Sequence, residues 1–164
     1  GGTRISEKIR KVLLDPGNHI SPICETLLYM AARAEVVEKI IKPALLAGKI
    51  VICDRFLDST VTYQGYALGV KIDFIKTVGH FVSACIKPNL TILLDLPVQD
   101  GLKHRKFKED RIEKRSYAYH LRVRRGYLKL AAQEPKRIKV VKVDRVKINT
   151  QEKIRELVDT FLQS

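Results

Sequence analysis

A chain of 164 residues, 45% of them hydrophobic, has the size of one domain and enough apolar matter for one buried core, which excludes a disordered polypeptide. No run of about eighteen uncharged apolar residues and no basic-then-apolar leader occurs, so neither a membrane span nor a signal peptide is expected, and a cytoplasmic location is. The formal net charge of +13 calls for an anionic partner such as nucleic acid, nucleotide or phosphate.

In chain order, Ile5, Ile9, Val12 and Leu13 recur at helical spacing between Arg4 and Leu14, with Thr3 or Ser6 to cap and Pro16-Gly17 to stop the helix. A longer helix is predicted from Pro22 to Leu46, bent before Pro43 and ended by Gly48. The β-branched run Ile50 to Asp54 reads as a buried strand, Asp58 to Tyr66 as a short helix and Lys71 to Ile86 as another. Leu90 to Leu96 reads as a second buried strand. Helices are then expected at Val98 to Phe107 and Ser116 to Ala132, a third strand at Ile138 to Val143, and a last helix at Gln151 to Leu162. Strands alternating with helices predict a parallel α/β sheet wrapped by crossover helices. Three strands are few for such a sheet, and the opening Gly1-Gly2-Thr3 lacks a methionine, so the first part of the protein is expected to be missing.

Cys24, Cys53 and Cys85 are odd in number, scattered and set in apolar sequence, which predicts buried free thiols and no metal role. Between Lys103 and Arg125 stand ten Lys or Arg against three acids, a net of +7, so over half of the excess charge is local. A mobile basic lid at about 104–116, carrying Arg105, Lys106, Lys108, Arg111, Lys114 and Arg115, would close on a triphosphate; a plain basic loop is the alternative. The run Lys136 to Lys147 reads as a solvated edge.

Asp54-Arg55-Phe56 follows the first strand, at the mouth of a parallel sheet, where α/β proteins bind ligands. Arg55 can grip a phosphate bidentately while Asp54 holds a magnesium-bound water; a structural Asp-Arg pair is the alternative. Tyr29 and Arg33, four apart on one helix face, can hold one planar group by stacking and hydrogen bonding, or else form a core aromatic beside a surface arginine. Ser59 with Tyr63 and Thr60 with Gln64 give a polar helix face able to line the same pocket. Asp95, at the end of the second strand, is left unassigned.

These segments, taken together, resemble the thymidylate kinase (dTMP kinase) family. The resemblance rests on Gly1-Gly2-Thr3 with Glu7 and Arg10, Leu27-Leu28-Tyr29-Met30-Ala31-Ala32-Arg33, and Asp54-Arg55-Phe56 through Ser59 to Tyr63-Gln64-Gly65. It extends through Asp110-Arg111-Ile112-Glu113 and Arg122-Val123-Arg124 with Tyr127-Leu128. It implies a P-loop NTPase-like nucleoside monophosphate kinase fold with the first two strands missing. It further implies that Tyr29 stands where the family stacks a phenylalanine on thymine, that Arg33 bonds the base, and that Arg55 holds the acceptor monophosphate. Asp54 is then near the metal, and Ser59, Tyr63 and Gln64 surround the deoxyribose and base. Arg111, with Arg115 and Arg122 as companions, faces the ATP phosphates. The implied reaction is Mg2+-assisted transfer of the γ-phosphoryl group of ATP to dTMP, giving dTDP and ADP, in a homodimer built through the helices of Pro22 to Leu46 and Lys71 to Ile86.

Family members begin with a strand, the loop G-x-x-x-x-G-K-[ST], a helix and a second strand, and none of these occurs in the 164 residues. The family's first strand lies between the strands ending at Asp54 and Asp95. Without it those neighbours would stand about 9.5 Å apart with unpaired inner edges, so residues 1–164 alone are expected to be unstable and inactive. Two other readings stay open from sequence: a non-catalytic basic protein binding nucleic acid through Lys103 to Arg125, and a kinase for another nucleoside monophosphate. Tyr29 to Arg33 with Tyr63-Gln64-Gly65 favours thymidylate over adenylate or guanylate, and nucleic acid is not the expected partner.

Overall fold

Thr3 opens the first helix by a reciprocal cap: its hydroxyl accepts from the Ser6 N–H at 3.1 Å, and its own N–H donates to Ser6 Oγ at 3.0 Å. Helix α1 then runs Arg4–Leu14, the predicted span. The computed structural model describes residues 2–103 and 110–163. Ser21 caps α2, Pro22–Val36, with Pro22 in the first turn, where its missing N–H costs nothing. The helix continues through a wide π stretch, Val37–Ile41, into α3, Lys42–Leu46. Pro43 offers no N–H to the turn before it, and the widened turn is the bend the sequence predicts there.

Helix α4, Leu57–Thr60, leads into a second π stretch, Val61–Tyr66, followed by α5, Ile72–Val82. After them come β1, Thr91–Asp95, α6, Val98–Lys103, α7, Tyr117–Gln133, β2, Ile138–Lys142, and α8, Lys147–Leu162. β1 and β2 pair in parallel from Thr91↔Ile138 to Asp95↔Lys142, the crossover arrangement expected of an α/β chain. The far end of the predicted helix 98–107 and the first part of the 104–116 lid lie outside the described residues.

Two apolar clusters hold the helices to this sheet. Met30, Val61, Val70, Ile75, Leu130, Ala131 and Ile138 join α2, α5, α7 and β2, while Ala67, Ile112, Tyr119 and Val123 seat the 110–116 segment on α7. Gly126 lets α7 touch the second π stretch, since a Cβ there would stand 2.8 Å from the Tyr66 ring.

Four expectations are corrected. Residues 50–54 form no strand: Ile50 is 75% and Ile52 95% exposed, and among the described residues β1 pairs only with β2, so this run has no strand partner to share its backbone hydrogen bonds. The strand predicted at Leu90 to Leu96 is half-buried rather than buried, with Leu94 exposed. The three cysteines are free but exposed, Cys24 on the first turn of α2, Cys53 on the unpaired run, and Cys85 in the left-handed turn after α5. Among the cations of the basic run 136–147 only Arg137 is buried, at 9% exposure, and the run's Ile138 and Val141 are core residues.

Arg137 is a hub. It donates to both Asp58 oxygens at 2.8 and 2.9 Å, to both Glu134 oxygens at 2.8 and 3.1 Å, and to Thr91 Oγ1 at 3.0 Å, tying α4, α7 and β1 to the start of β2. Arg137→Ala leaves Asp58 without its cation and Glu134 with Lys87 alone, and is expected to cost about 3 kcal/mol, read as a lowered denaturation midpoint. Arg137 and Lys87 hold the Glu134 carboxyl at about 2, below its ordinary 4.5. A depressed carboxyl contributes stability above its ordinary value and loses it as pH falls through its folded one. Unfolding free energy should therefore drop between pH 4.5 and 2. Glu134→Gln should flatten that slope.

Candidate active site

The α2 residues Glu25, Tyr29 and Arg33 follow one another at i, i+4 and i+8, so they share a face turned toward the segment 55–64. Arg33 is not the surface arginine of the alternative reading. One Nη2 donates to the Phe56 carbonyl at 3.1 Å and to Thr60 Oγ1 at 2.8 Å, Nη1 lies 3.2 Å from Met30 Sδ, and the guanidinium sits over the Phe56 ring at 5.4 Å. Three of its five N–H donors are thus used by the protein. Burial pushes Arg33 down to about 10, which leaves it charged at neutral pH.

Tyr29 is half-buried beside Glu25, Arg111, Asp110 and Arg55, all close enough to act on its hydroxyl electrostatically. Burial first, and then the Glu25 charge, push that hydroxyl up, so the ring is neutral at physiological pH. Arg55 has φ of 67°, the left-handed region that side chains rarely adopt, and this aims its guanidinium across the Tyr63 ring at 5.0 Å. Left-handed backbone at a non-glycine residue costs about 1–2 kcal/mol, a cost met at sites that need one particular side-chain direction. Asp54 is exposed on the bend before it.

Tyr63 in turn meets Tyr119 and Tyr127 edge to face at 6.2 and 6.3 Å, and Tyr127 OH shares a 2.6 Å hydrogen bond with Ser59 Oγ. Gln64 is 1% exposed and donates from Nε2 to Glu25 Oε1 at 2.8 Å. The remaining Glu25 oxygen, Oε2, accepts from Arg115 Nη2 at 2.6 Å and is ion-paired with Arg111 Nη2 at 2.7 Å, and Arg115 also lies over the Tyr119 ring at 4.6 Å. Arg111 further donates from Nε to the Leu13 carbonyl at 2.8 Å.

Arg55, Ser59, Tyr63, Gln64, Arg111 and Arg115 therefore belong to one connected set of contacts through Glu25, Tyr119 and Tyr127, Tyr29 is coupled to it electrostatically, and Arg33 bonds Phe56 and Thr60 on the segment that carries Arg55 and Ser59. Arg122 stands apart, donating from Nε to the Ala67 carbonyl at 3.1 Å. A shallow cleft lined by Asn18, His19, Ser21, Arg111 and Lys114 borders the set on the α2 N-terminal side. Two members escaped sequence reasoning. Glu25 carries a signal in hindsight, a carboxylate one helical turn before the aromatic; Tyr119 lies in no motif of its own. Asp95, left unassigned, accepts Arg124 Nε at 2.6 Å and Nη2 at 2.8 Å, which ties α7 to the end of β1.

Among the described residues no group of three or more His, Cys, Asp or Glu is placed to hold a metal ion. A lone exposed carboxylate such as Asp54 fits a metal held mainly by substrate phosphates and touched through its water. No helix of the described residues is long and apolar enough to cross a membrane.

The thymidylate kinase family model matches residues 1–154. A thymidylate kinase of Symbiobacterium thermophilum is 49% identical over 164 residues, covering 99% of this chain and 77% of the relative. One from Syntrophotalea carbinolica is 47% identical over 150 residues, covering 86% of this chain and 69% of the relative. In three dimensions, the crystal structure of a thymidylate kinase from Ehrlichia chaffeensis superposes with a TM-score of 0.78 at 30% identity, over 97% of this chain and 76% of that one. That likeness places the helices and the small parallel sheet in the P-loop NTPase-like fold. Members of this group use ATP with a divalent metal, and neither a nucleic-acid-binding protein nor a kinase for another nucleotide is favoured. The chain thus belongs to the thymidylate kinase family, the phosphotransferases that act on dTMP.

Proposed function

We propose that the connected contacts from Glu25 to Arg115 form the acceptor site for dTMP, with Mg2+ as the metal that accompanies ATP. The observation that supports this most is Arg33, whose bonds to Phe56 and Thr60 lock the base-facing side of α2 to the segment that carries Arg55. In this reading Tyr29 stacks on thymine, the remaining Arg33 donors meet a base carbonyl, and Ser59, Tyr63 and Gln64 enclose the sugar and base. Arg55, aimed by its unusual backbone, grips the 5′-phosphate. Arg111 and Arg115, in a basic lid at about 104–116, offer their remaining N–H donors to the ATP phosphates while holding Glu25, and Arg122 on α7 is their companion.

A phosphate oxygen of dTMP then forms the new bond to the γ-phosphorus while the bond to the β–γ bridging oxygen breaks, and ADP leaves with that oxygen. The acceptor is already an anion, so positioning and charge neutralisation carry the reaction without a general base. Mg2+ supplies charge neutralisation on the transferred group, and Asp54 would hold it through a bound water. The apolar Ile23, Leu27, Leu45, Leu46, Phe74 and Phe81 stand exposed on α2, α3 and α5, which supports a homodimer through those helices.

The test is nucleotide binding to the full-length protein by calorimetry. Arg33→Ala should weaken dTMP by about thirtyfold or more, the loss of hydrogen bonds from a charged donor, and should erase the preference for dTMP over dAMP. Unchanged selectivity, or an affinity for single-stranded DNA that falls steeply with salt, would favour the nucleic-acid reading instead.

A further inference from the structure

We infer that Glu25 is a specificity-determining positioning residue: it fixes which end of the Gln64 amide faces the bound base, and so selects a pyrimidine carrying a proton at N3. The inference rests on the acceptor site proposed above. An ionised carboxylate only accepts hydrogen bonds, and an amide has one donor end and one acceptor end. Gln64 spends its Nε2 on Glu25 Oε1 at 2.8 Å, so the amide cannot turn over without setting its oxygen against the carboxylate. Both residues are buried, Glu25 at 0% and Gln64 at 1% exposure, and there an unmatched polar contact is costly.

The other Gln64 end, Oε1, meets no donor among the described residues. It is held as an acceptor beside the face that carries Tyr29. Thymine and uracil present N3–H, a donor, whereas cytosine presents N3 as a bare acceptor. An amide oxygen held in place accepts from the first two and repels the third. Glu25 itself is anchored through its other oxygen, because Arg115 donates to Oε2 at 2.6 Å and the Arg111 guanidinium forms an ion pair with the same oxygen at 2.7 Å, and neither cation can accept a hydrogen bond there. The carboxylate thus transmits a donor–acceptor polarity from two arginines, which cannot reverse theirs, to an amide that otherwise could.

This ordering makes an unusual demand on the isosteric variant. In Glu25→Gln the new oxygen must serve the arginines, which leaves the new NH2 facing Gln64. Gln64 then turns over to accept from it and presents its own NH2 to the base. Thymine N3–H now meets a donor and cytosine N3 a partner.

The experiment is calorimetric titration of the full-length protein, wild type and Glu25→Gln, with dTMP and with dCMP. The wild type should prefer dTMP, and the ratio of the two affinities should move toward dCMP by roughly tenfold or more in the variant, the worth of one neutral hydrogen bond exchanged for a repulsion. A folded variant that keeps the wild-type ratio, or that weakens both nucleotides equally, overturns the inference and leaves Glu25 a structural residue. If Glu25→Gln fails to fold, Gln64→Leu on the wild-type background decides: the two nucleotides should become nearly equal, and a retained dTMP preference overturns the inference. A wild type with no preference for dTMP would instead overturn the acceptor-site reading on which the inference stands.

Discussion

Arg55→Gly is expected to abolish useful turnover while leaving a fold more stable than that of Arg55→Ala. Both variants remove the guanidinium and its contact with the Tyr63 ring, so both lose the grip on the acceptor phosphate. A bidentate charged hydrogen bond is worth about 3 kcal/mol, and its loss should lower kcat/KM for dTMP by about a hundredfold in each. The two differ only in backbone. At φ of 67° alanine bears the left-handed strain and glycine does not, so Arg55→Gly should unfold at a free energy about 1 kcal/mol higher than Arg55→Ala. Denaturant titration of the two proteins reads this directly. Equal stabilities would mean that the Arg55 backbone is relaxed and that its direction is not imposed by the site.

The second large effect concerns residues 1–164 by themselves. They contain no G-x-x-x-x-G-K-[ST] loop, hence no cradle of backbone N–H groups and no P-loop lysine for the ATP phosphates. Ile50 and Ile52 stand 75% and 95% exposed on an unpaired run, and Leu94 and Val140 are exposed on the two-stranded sheet. Open strand edges with apolar side chains are templates for association. A polypeptide of these residues alone should sediment as aggregates and show no transfer of phosphate to dTMP above background. Joined behind the glycine-rich segment that the family carries, the same residues should be monodisperse and should regain activity by at least about a thousandfold, since phosphate positioning carries most of this chemistry. Cooperative unfolding of residues 1–164 together with dTMP phosphorylation would contradict the expectation.

The helices were readable because their signals are local. Thr3 and Ser6 sit at capping distance, Pro22 and Pro43 mark a start and a bend, and the helix expected from Ser116 forms as α7 with Ser116 as its cap. The run at 50–54 was misread for the opposite reason: β-branched residues make a strand only when another strand is there to bond with, and that partner is not in the local sequence. Cys53 inherits the error, being exposed because its run is unpaired.

Tyr29, Arg33 and Arg55 were legible as chemistry-bearing types at telling spacings. Two of the site's other members were not, since Glu25 and Tyr119 acquire meaning only when chain segments far apart in sequence meet, as Glu25 and Arg115, 90 residues apart, do. Arg137 shows the same limit. In sequence it is one cation in a basic run, and in the fold it is the buried center of five hydrogen bonds.

The central claim is that Tyr29, Arg33 and Arg55 surround a single thymidine monophosphate. A crystal structure of the full-length protein with dTMP tests it most directly. The thymine ring should lie against Tyr29 with an exocyclic oxygen on Arg33, and the 5′-phosphate should lie within hydrogen-bond distance of the Arg55 guanidinium. A nucleotide bound elsewhere, or one whose phosphate faces Arg33 and whose base faces solvent, would contradict the account.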